Sequence, residues 1–219
     1  MTLQLYAHPF SSYCQKVLIA LYENAVPFTF RMLEPSEKRN LVEFAKLSPM
    51  RRMPVLVDGE RAVLESSVII EYLGLYHPGP VTLVRADGKA ALEVRMLDRV
   101  FDNYILGQMQ KFVFDRIRPE DVRDATGVQE AAGLLDRAYA WLDRIVAGGE
   151  WAVGHEFTLA DCAAAPALFY ADWVHPIPHD LVNLRAYRQR LLGRPSFARA
   201  VDEARPYRAF FPTGAPDRD

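Results

Sequence analysis

The chain is poor in cysteine, with Cys14 and Cys162 the only two in 219 residues. Two thiols cannot build a disulfide framework, and a reducing cytoplasm is the expected compartment. Long apolar runs are missing as well, so no membrane span is expected. The opening MTLQLYAHPF has no basic region and no extended apolar stretch, and no secretory signal is read there. Neither charge dominates: 26 Lys and Arg face 28 Asp and Glu, a net of −2. No global basic field exists to draw nucleic acid or an anionic membrane surface. Also missing are a Gly-rich phosphate loop, a dinucleotide-binding fingerprint, a His-Glu-x-x-His pattern, repeats and low-complexity segments. His175 and His179 stand close together, but Pro176 and Pro178 deny them the helical spacing of a zinc pair. No third ligand is near in sequence, and no metal is expected.

What is present is ordinary in amount and specific in order. Half of the residues are hydrophobic and a quarter charged, as in soluble globular proteins. The length allows a sizeable core, in one large or two small domains. Leu3 and Leu5 alternate with polar or aromatic neighbours as a first strand. The loop His8-Pro9-Phe10-Ser11 follows, then a helix from about Ser12 to Asn24 with Val17, Leu18, Leu21 and Tyr22 on its inner side. Phe28, Phe30 and Met32 alternate in a second strand, and Pro35-Ser36 opens a charged helix reaching about Lys46.

The stretch Arg52 to Tyr76, RMPVLVDGERAVLESSVIIEYLGLY, is the most informative. Val55 to Val57 and Ala62 to Leu64 are short strands joined at Asp58-Gly59, a strong hairpin signal. Helical spacing begins at Val68. Pro54 is tolerable only at the head of its strand, where a cis Met-Pro bond suits a tight turn. Glu65-Ser66-Ser67 is a polar wedge between an apolar strand and an apolar helix. A serine there can cap the helix, and free N–H groups at that end attract an anion. Glu65 beside them suits an ammonium group, so the pair would grip the zwitterionic end of an amino acid or small peptide. The order β-α-β-α-β-β-α is thioredoxin-like.

After His77-Pro78-Gly79-Pro80 and a linker to about Gly88 the chain becomes all-helical. One long amphipathic helix is expected from Ala91 to Ile117 and a second from Val128 to Ala147. A third is capped by Thr158 with Asp161 three residues on. Further helices fit Leu181–Leu192 and Ser196–Glu203, and the tail from Pro206 is expected to be loosely held. The fold class is therefore α/β plus all-α, with domains at 1–78 and 88–219.

At these residues the chain resembles the cytosolic glutathione S-transferases, in particular serine-type, theta- or zeta-like bacterial-style members. The matching patterns are Met53-Pro54-Val55-Leu56-Val57-Asp58, Leu64-Glu65-Ser66-Ser67, Phe157-Thr158-Leu159-Ala160-Asp161 and Arg194-Pro195-Ser196-Phe197. The resemblance implies glutathione as co-substrate, with the Met53 backbone and cis Pro54 on its cysteinyl part and Glu65 and Ser66 on its γ-glutamyl end. Arg52 would face the glycyl carboxylate. The thiol donor would be Ser11 or, less favoured, Ser12, with Tyr6 as a rival on the first strand. The second substrate would be a small apolar electrophile in a site lined by Phe10, Tyr104, Gln108, Met109 and Phe112. A homodimer is implied, with Ala62, Tyr72 and the helix from Ala91 to Arg99 as a candidate face. The zeta pattern is broken by Tyr13 ahead of Cys14 and by a missing tryptophan, which counts against a maleylacetoacetate isomerase role.

The chemistry at Ser11 is feasible without a base. A thiol of pKa about 8.5 becomes mostly thiolate at neutral pH if its pKa falls by ~2 units, or ~2.7 kcal/mol. A charge-assisted hydrogen bond supplies ~1.5–3 kcal/mol and a helix N-terminus ~0.3–1. Two other readings compete: a glutathione-dependent thiol-disulfide oxidoreductase acting through Cys14, and a non-catalytic binding module of the same fold.

Overall fold

The structure, a computed structural model, describes residues 2–219. Strand β1 (Leu3–Ala7), helix α1 (Ser12–Glu23), β2 (Phe28–Met32), α2 (Lys38–Leu47), β3 (Val55–Asp58), β4 (Arg61–Leu64) and α3 (Ser66–Tyr76) follow in that order. The sheet order is β2-β1-β3-β4, with β1 parallel to β2 and antiparallel to β3. Leu5 lies opposite Leu56, and β3 and β4 close a hairpin through Gly59 at φ 59°. That positive φ is why a glycine follows Asp58.

Strand alternation sorts the core into two layers. Leu3, Leu5 and Ala7 point to α1 and α3 and join the main core. Tyr6 points the opposite way, into a small cluster with Leu33, Phe44 and Val55 beneath α2. The charged helix α2 therefore buries little besides Asn40 and Phe44.

The remainder is helical: α4 (Gly88–Val100), a π-helical segment (Phe101–Leu106), α5 (Gly107–Ile117), α6 (Ala125–Val146), α7 (Leu159–Val174), α8 (Val182–Leu192) and α9 (Pro195–Ala204). The long helix expected from the spacing is thus one rod interrupted by a π turn, a feature that recurs at functional sites. Helix α6 starts three residues earlier than Val128, because the Asp124 carboxylate accepts from the Gly127 N–H at 2.8 Å.

Helix α7 is buried on every side from Leu159 to Trp173. Ala163, Ala164, Ala165 and Ala167 keep it slender enough to lie among α1, α4 and the π segment. Its start is held by Asp161, which accepts from the Thr158 N–H, the Ala152 N–H and the Tyr187 hydroxyl at 2.8, 2.8 and 2.6 Å. The two domains are also tied at α1, where Arg194 grips Glu23 in a fork at 2.9 and 2.6 Å.

The tail departs from expectation. Arg205–Phe210 forms a 3-10 helix, and Phe211 is buried against Tyr170 and Trp173. Arg205 and Arg208 pair with Asp219. Aromatic packing and ion pairs fasten a segment whose prolines alone suggest looseness.

Candidate functional site

A cleft of about 570 Å³ opens between the domains, bordered on the sheet side by Ser11, Tyr13, residues 50–54 and residues 64–66. Its helical wall is Arg99, Asp102, Asn103, Gln110 and Phe114. A groove of about 680 Å³ behind β2 and α9 is larger, but it holds none of the expected site residues.

Ser11 is the N-cap of α1, in extended backbone, and its carbonyl accepts from the Gln15 N–H at 2.9 Å. Gln15 in turn anchors the preceding loop, donating to the Pro9 carbonyl and the Tyr170 hydroxyl at 3.0 Å each. Ser11 is half-buried and faces the cleft, whereas Ser12 is buried and does not border it. Tyr6 donates to Glu43 on α2 at 2.8 Å, on the far side of the sheet. Cys14 is fully buried, and burial pushes its thiol up to about 11 against the opposing hydrogen bonds of Ser11 and the His8 backbone. A thiol so placed stays protonated and sealed.

The Met53-Pro54 bond is cis. The turn before it is fixed by Ser48, whose hydroxyl accepts from the Arg52 N–H at 3.1 Å and donates to the Arg52 carbonyl at 3.0 Å. Met50, Arg51 and Arg52 are thereby left exposed along the cleft edge. Glu65 stands at φ 68° and ψ 118°, a conformation that costs a non-glycine residue ~1–3 kcal/mol. The first backbone bond of α3 runs from the Ile69 N–H to the Glu65 carbonyl at 2.8 Å, so the N–H groups of residues 66–68 precede it. An exposed carboxylate and a helix N-terminus thus stand side by side.

Beneath them lies a buried ionic cluster that sequence reasoning missed. Lys16 on α1 pairs with Asp98 at 2.5 Å and Asp102 at 2.8 Å, and donates to Ser67 at 2.9 Å. Arg99 closes the cluster from outside, 2.6 Å from Asp98 and 2.5 Å from Asp102. Burial pushes the Asp102 carboxyl above the usual carboxylate range, while Lys16 and Arg99 oppose the rise. The signal was in the sequence: Lys16 interrupts an apolar helix, and Asp98 and Asp102, four apart, interrupt an apolar stripe.

The residues expected to line the electrophile site do not border this cleft. Met109 is core, Phe10 packs on Tyr170 and Phe211, and Phe112 lies against the His175 ring. Tyr104 is exposed, and the Gln108 amide bonds the Asn103 carbonyl of its own helix. Phe101, Ile105, Leu106 and Met109 of the rod face inward, so the wall it offers the cleft is mostly polar, with Phe114 as its one ring. Tyr13, Arg99, Asp102, Asn103, Gln110 and Phe114 take their place. Among the described residues, no group of three or more His, Cys, Asp or Glu is placed to hold a metal.

Comparison with known proteins agrees with this geometry. Residues 5–80 match the model of the glutathione S-transferase N-terminal domain, and residues 125–190 that of the C-terminal domain. A glutathione S-transferase from Methylobacterium radiotolerans, solved in complex with glutathione sulfonate, superposes with a TM-score of 0.79 at 30% identity, covering 92% of this chain and 95% of that one. A probable maleylacetoacetate isomerase of Vibrio cholerae is 27% identical over 94% of this chain and 98% of its own. The chloroplastic glutathione S-transferase DHAR3 of Arabidopsis thaliana is 27% identical over 84% of this chain, which spans 66% of that protein's length.

Proposed function

The chain belongs to the glutathione S-transferase family, and from that premise we propose that this cleft binds glutathione and transfers its sulfur to a small electrophile. The carrying observation is convergence: Ser11, the Met53-Pro54 turn and the Glu65-Ser66 pair, far apart in sequence, border one cleft. In this reading the cysteinyl backbone pairs with Met53, and the γ-glutamyl carboxylate sits on the N-terminus of α3 at Ser66. Glu65 takes the ammonium group and Arg52 the glycyl carboxylate. The thiol then lies at the N-terminus of α1, where the Ser11 hydroxyl and the helix end favour the thiolate. The thiolate attacks the electrophile, the carbon–sulfur bond forms and the leaving group departs.

Burial of Cys14 speaks against the disulfide-exchange alternative. Retention of Ser11, Pro54, Glu65 and Ser66 together speaks against a mere binding module, which would need none of them.

The proposal extends to a homodimer. Val68, Leu75 and Tyr76 of α3 and Leu92 and Met96 of α4 are exposed hydrophobics on neighbouring helices, and Arg61 lies over the Tyr72 and Tyr76 rings. Ala91, by contrast, is core. Domain limits of 1–78 and 88–219 and a cytoplasmic home are proposed with it. No helix among the described residues is long and apolar enough to cross a membrane.

Titration calorimetry tests the site: the Glu65→Ala, Ser66→Ala double variant binds glutathione far more weakly than wild type. Unchanged affinity would sink the assignment. Sedimentation tests the assembly, and a lone species of 24.9 kDa at working concentrations would rule out the dimer.

A further inference from the structure

We propose that the outer edge of β2 pairs with the same edge of a second copy of this chain, joining two four-stranded sheets into one. The contact is independent of the glutathione reading and uses no residue of α3 or α4.

Strand β2 has β1 on one side and no strand on the other. The Leu33 N–H donates to the Ala7 carbonyl at 3.0 Å. Alternation along the parallel ladder then turns the backbone groups of Thr29 and Arg31 to β1 and those of Phe28, Phe30 and Met32 outward. This outward edge is bounded at both ends. The Val26 N–H is spent on the Leu21 carbonyl at 3.0 Å, and the Met32 carbonyl accepts from the Asn40 amide at 3.0 Å. Between these limits, the N–H and C=O of Phe28 and Phe30 have no partner among the described residues. Unpaired groups in a row on an edge strand are a template for another strand.

Symmetry decides what fits. An antiparallel copy centred on Thr29 sets Phe28 of each chain opposite Phe30 of the other, and each residue then donates to and accepts from its counterpart. All the free groups are satisfied, and nothing is asked of the Val26 N–H or the Met32 carbonyl. A centre on Phe30 fails, because it needs the Met32 carbonyl where the Asn40 amide already stands. The side chains agree with the Thr29 centre. Phe28 and Phe30 border the groove of about 680 Å³ on one face of the strand, so the cross-strand pairs there are aromatic on aromatic. Thr29 is exposed on the other face and meets its own counterpart, hydroxyl to hydroxyl. The groove's charges are spent within the chain: Glu203 accepts from the Tyr22 hydroxyl at 2.5 Å and from Arg199 at 2.9 Å. The contact therefore covers no unpaired charge on that wall.

Sedimentation and amide exchange, both at millimolar protein, test the pairing. Thr29→Lys and Thr29→Glu each set like charges face to face at the two-fold axis, which opposes pairing. Wild type is expected to sediment with at least twice the mass of either variant. Its Phe28 and Phe30 amides are expected to exchange roughly tenfold more slowly than those of Thr29→Lys, while the Thr29 and Arg31 positions, bonded to β1, stay alike. An equimolar mixture of the two variants is expected to regain the wild-type mass, because unlike charges then meet on the axis. Both changes fall at an exposed position, and a cooperative melt checks that the fold is kept. Equal masses for wild type and both variants would overturn the proposal. So would Phe28 and Phe30 amides that exchange as fast in wild type as in Thr29→Lys, or a mixture no heavier than its components.

Discussion

At the scale of the residue, the site depends on which oxygen meets the sulfur. Ser11 and Ser12 are neighbours in sequence, yet only Ser11 borders the cleft. Cys14, beside the Ser11 hydroxyl, stays protonated with its thiol near 11, and a neutral thiol is a weak acceptor. In the proposed complex the Ser11 O–H would exchange that weak contact for a glutathione thiolate, the stronger acceptor. Replacing Ser11 by alanine removes a partner of the charged form, so the bound thiol's pKa rises and the pH–rate profile for kcat moves to higher pH. The loss at neutral pH is roughly ten- to a hundredfold, corresponding to the ~1.5–3 kcal/mol of a charge-assisted bond. Ser12→Ala, Tyr6→Phe and Cys14→Ala leave the profile where it is. A profile moved by Tyr6→Phe and untouched by Ser11→Ala would contradict the geometry.

At the scale of the element, the turn between β4 and α3 carries strain for the sake of its side chain. Glu65 sits at φ 68°, where glycine would be at ease. Glu65→Gly relieves ~1–3 kcal/mol of backbone strain while giving up part of that gain to the greater freedom of glycine in the unfolded chain. Its Tm is therefore equal to or above that of wild type, while calorimetry shows weaker glutathione binding. A variant that loses both stability and affinity would mean that Glu65 is structural. This turn was legible in the sequence as a polar wedge, because polar residues between apolar elements have few structural reasons to be there. The hairpin at Gly59 and the cap at Thr158 were legible for a similar reason, being local patterns with local causes. The helical wall was not. Whether Met109 or Gln110 faces the cleft depends on how the rod rests against α7, and aromatic spacing marks core and site alike. The tail was misread because Phe211 finds its partners, Tyr170 and Trp173, about 40 residues away in sequence.

At the scale of the whole molecule, the domains are joined by a pair that answers to acid. Burial alone would raise the Glu23 carboxyl, but hydrogen bonds from Arg194 and Ser196 outweigh it and hold the group below its ordinary value. Its folded pKa is lower than its unfolded one, so its stabilisation is complete above the unfolded value and disappears as pH falls through the folded one. Arg194→Ala accordingly lowers Tm at neutral pH by about 3–12 °C, from the ~1.5–3 kcal/mol of charge-assisted bonding. The gap to wild type narrows as the buffer is taken below about pH 4.3, where unfolded carboxyls gain protons. A difference in Tm that is constant with pH would assign the loss to packing of Arg194 on Trp151 and Phe157 rather than to charge.

Helix α7, with no side turned to water, touches α1 of one domain and α4, α5 and α8 of the other. Placed in heavy water, its amides are the molecule's slowest clock. They have no local breathing motion through which to trade hydrogen for deuterium, and must wait for both domains to come apart together. The isotope would therefore mark one event along the whole of α7, and the two domains, separate in architecture, would share a single lifetime.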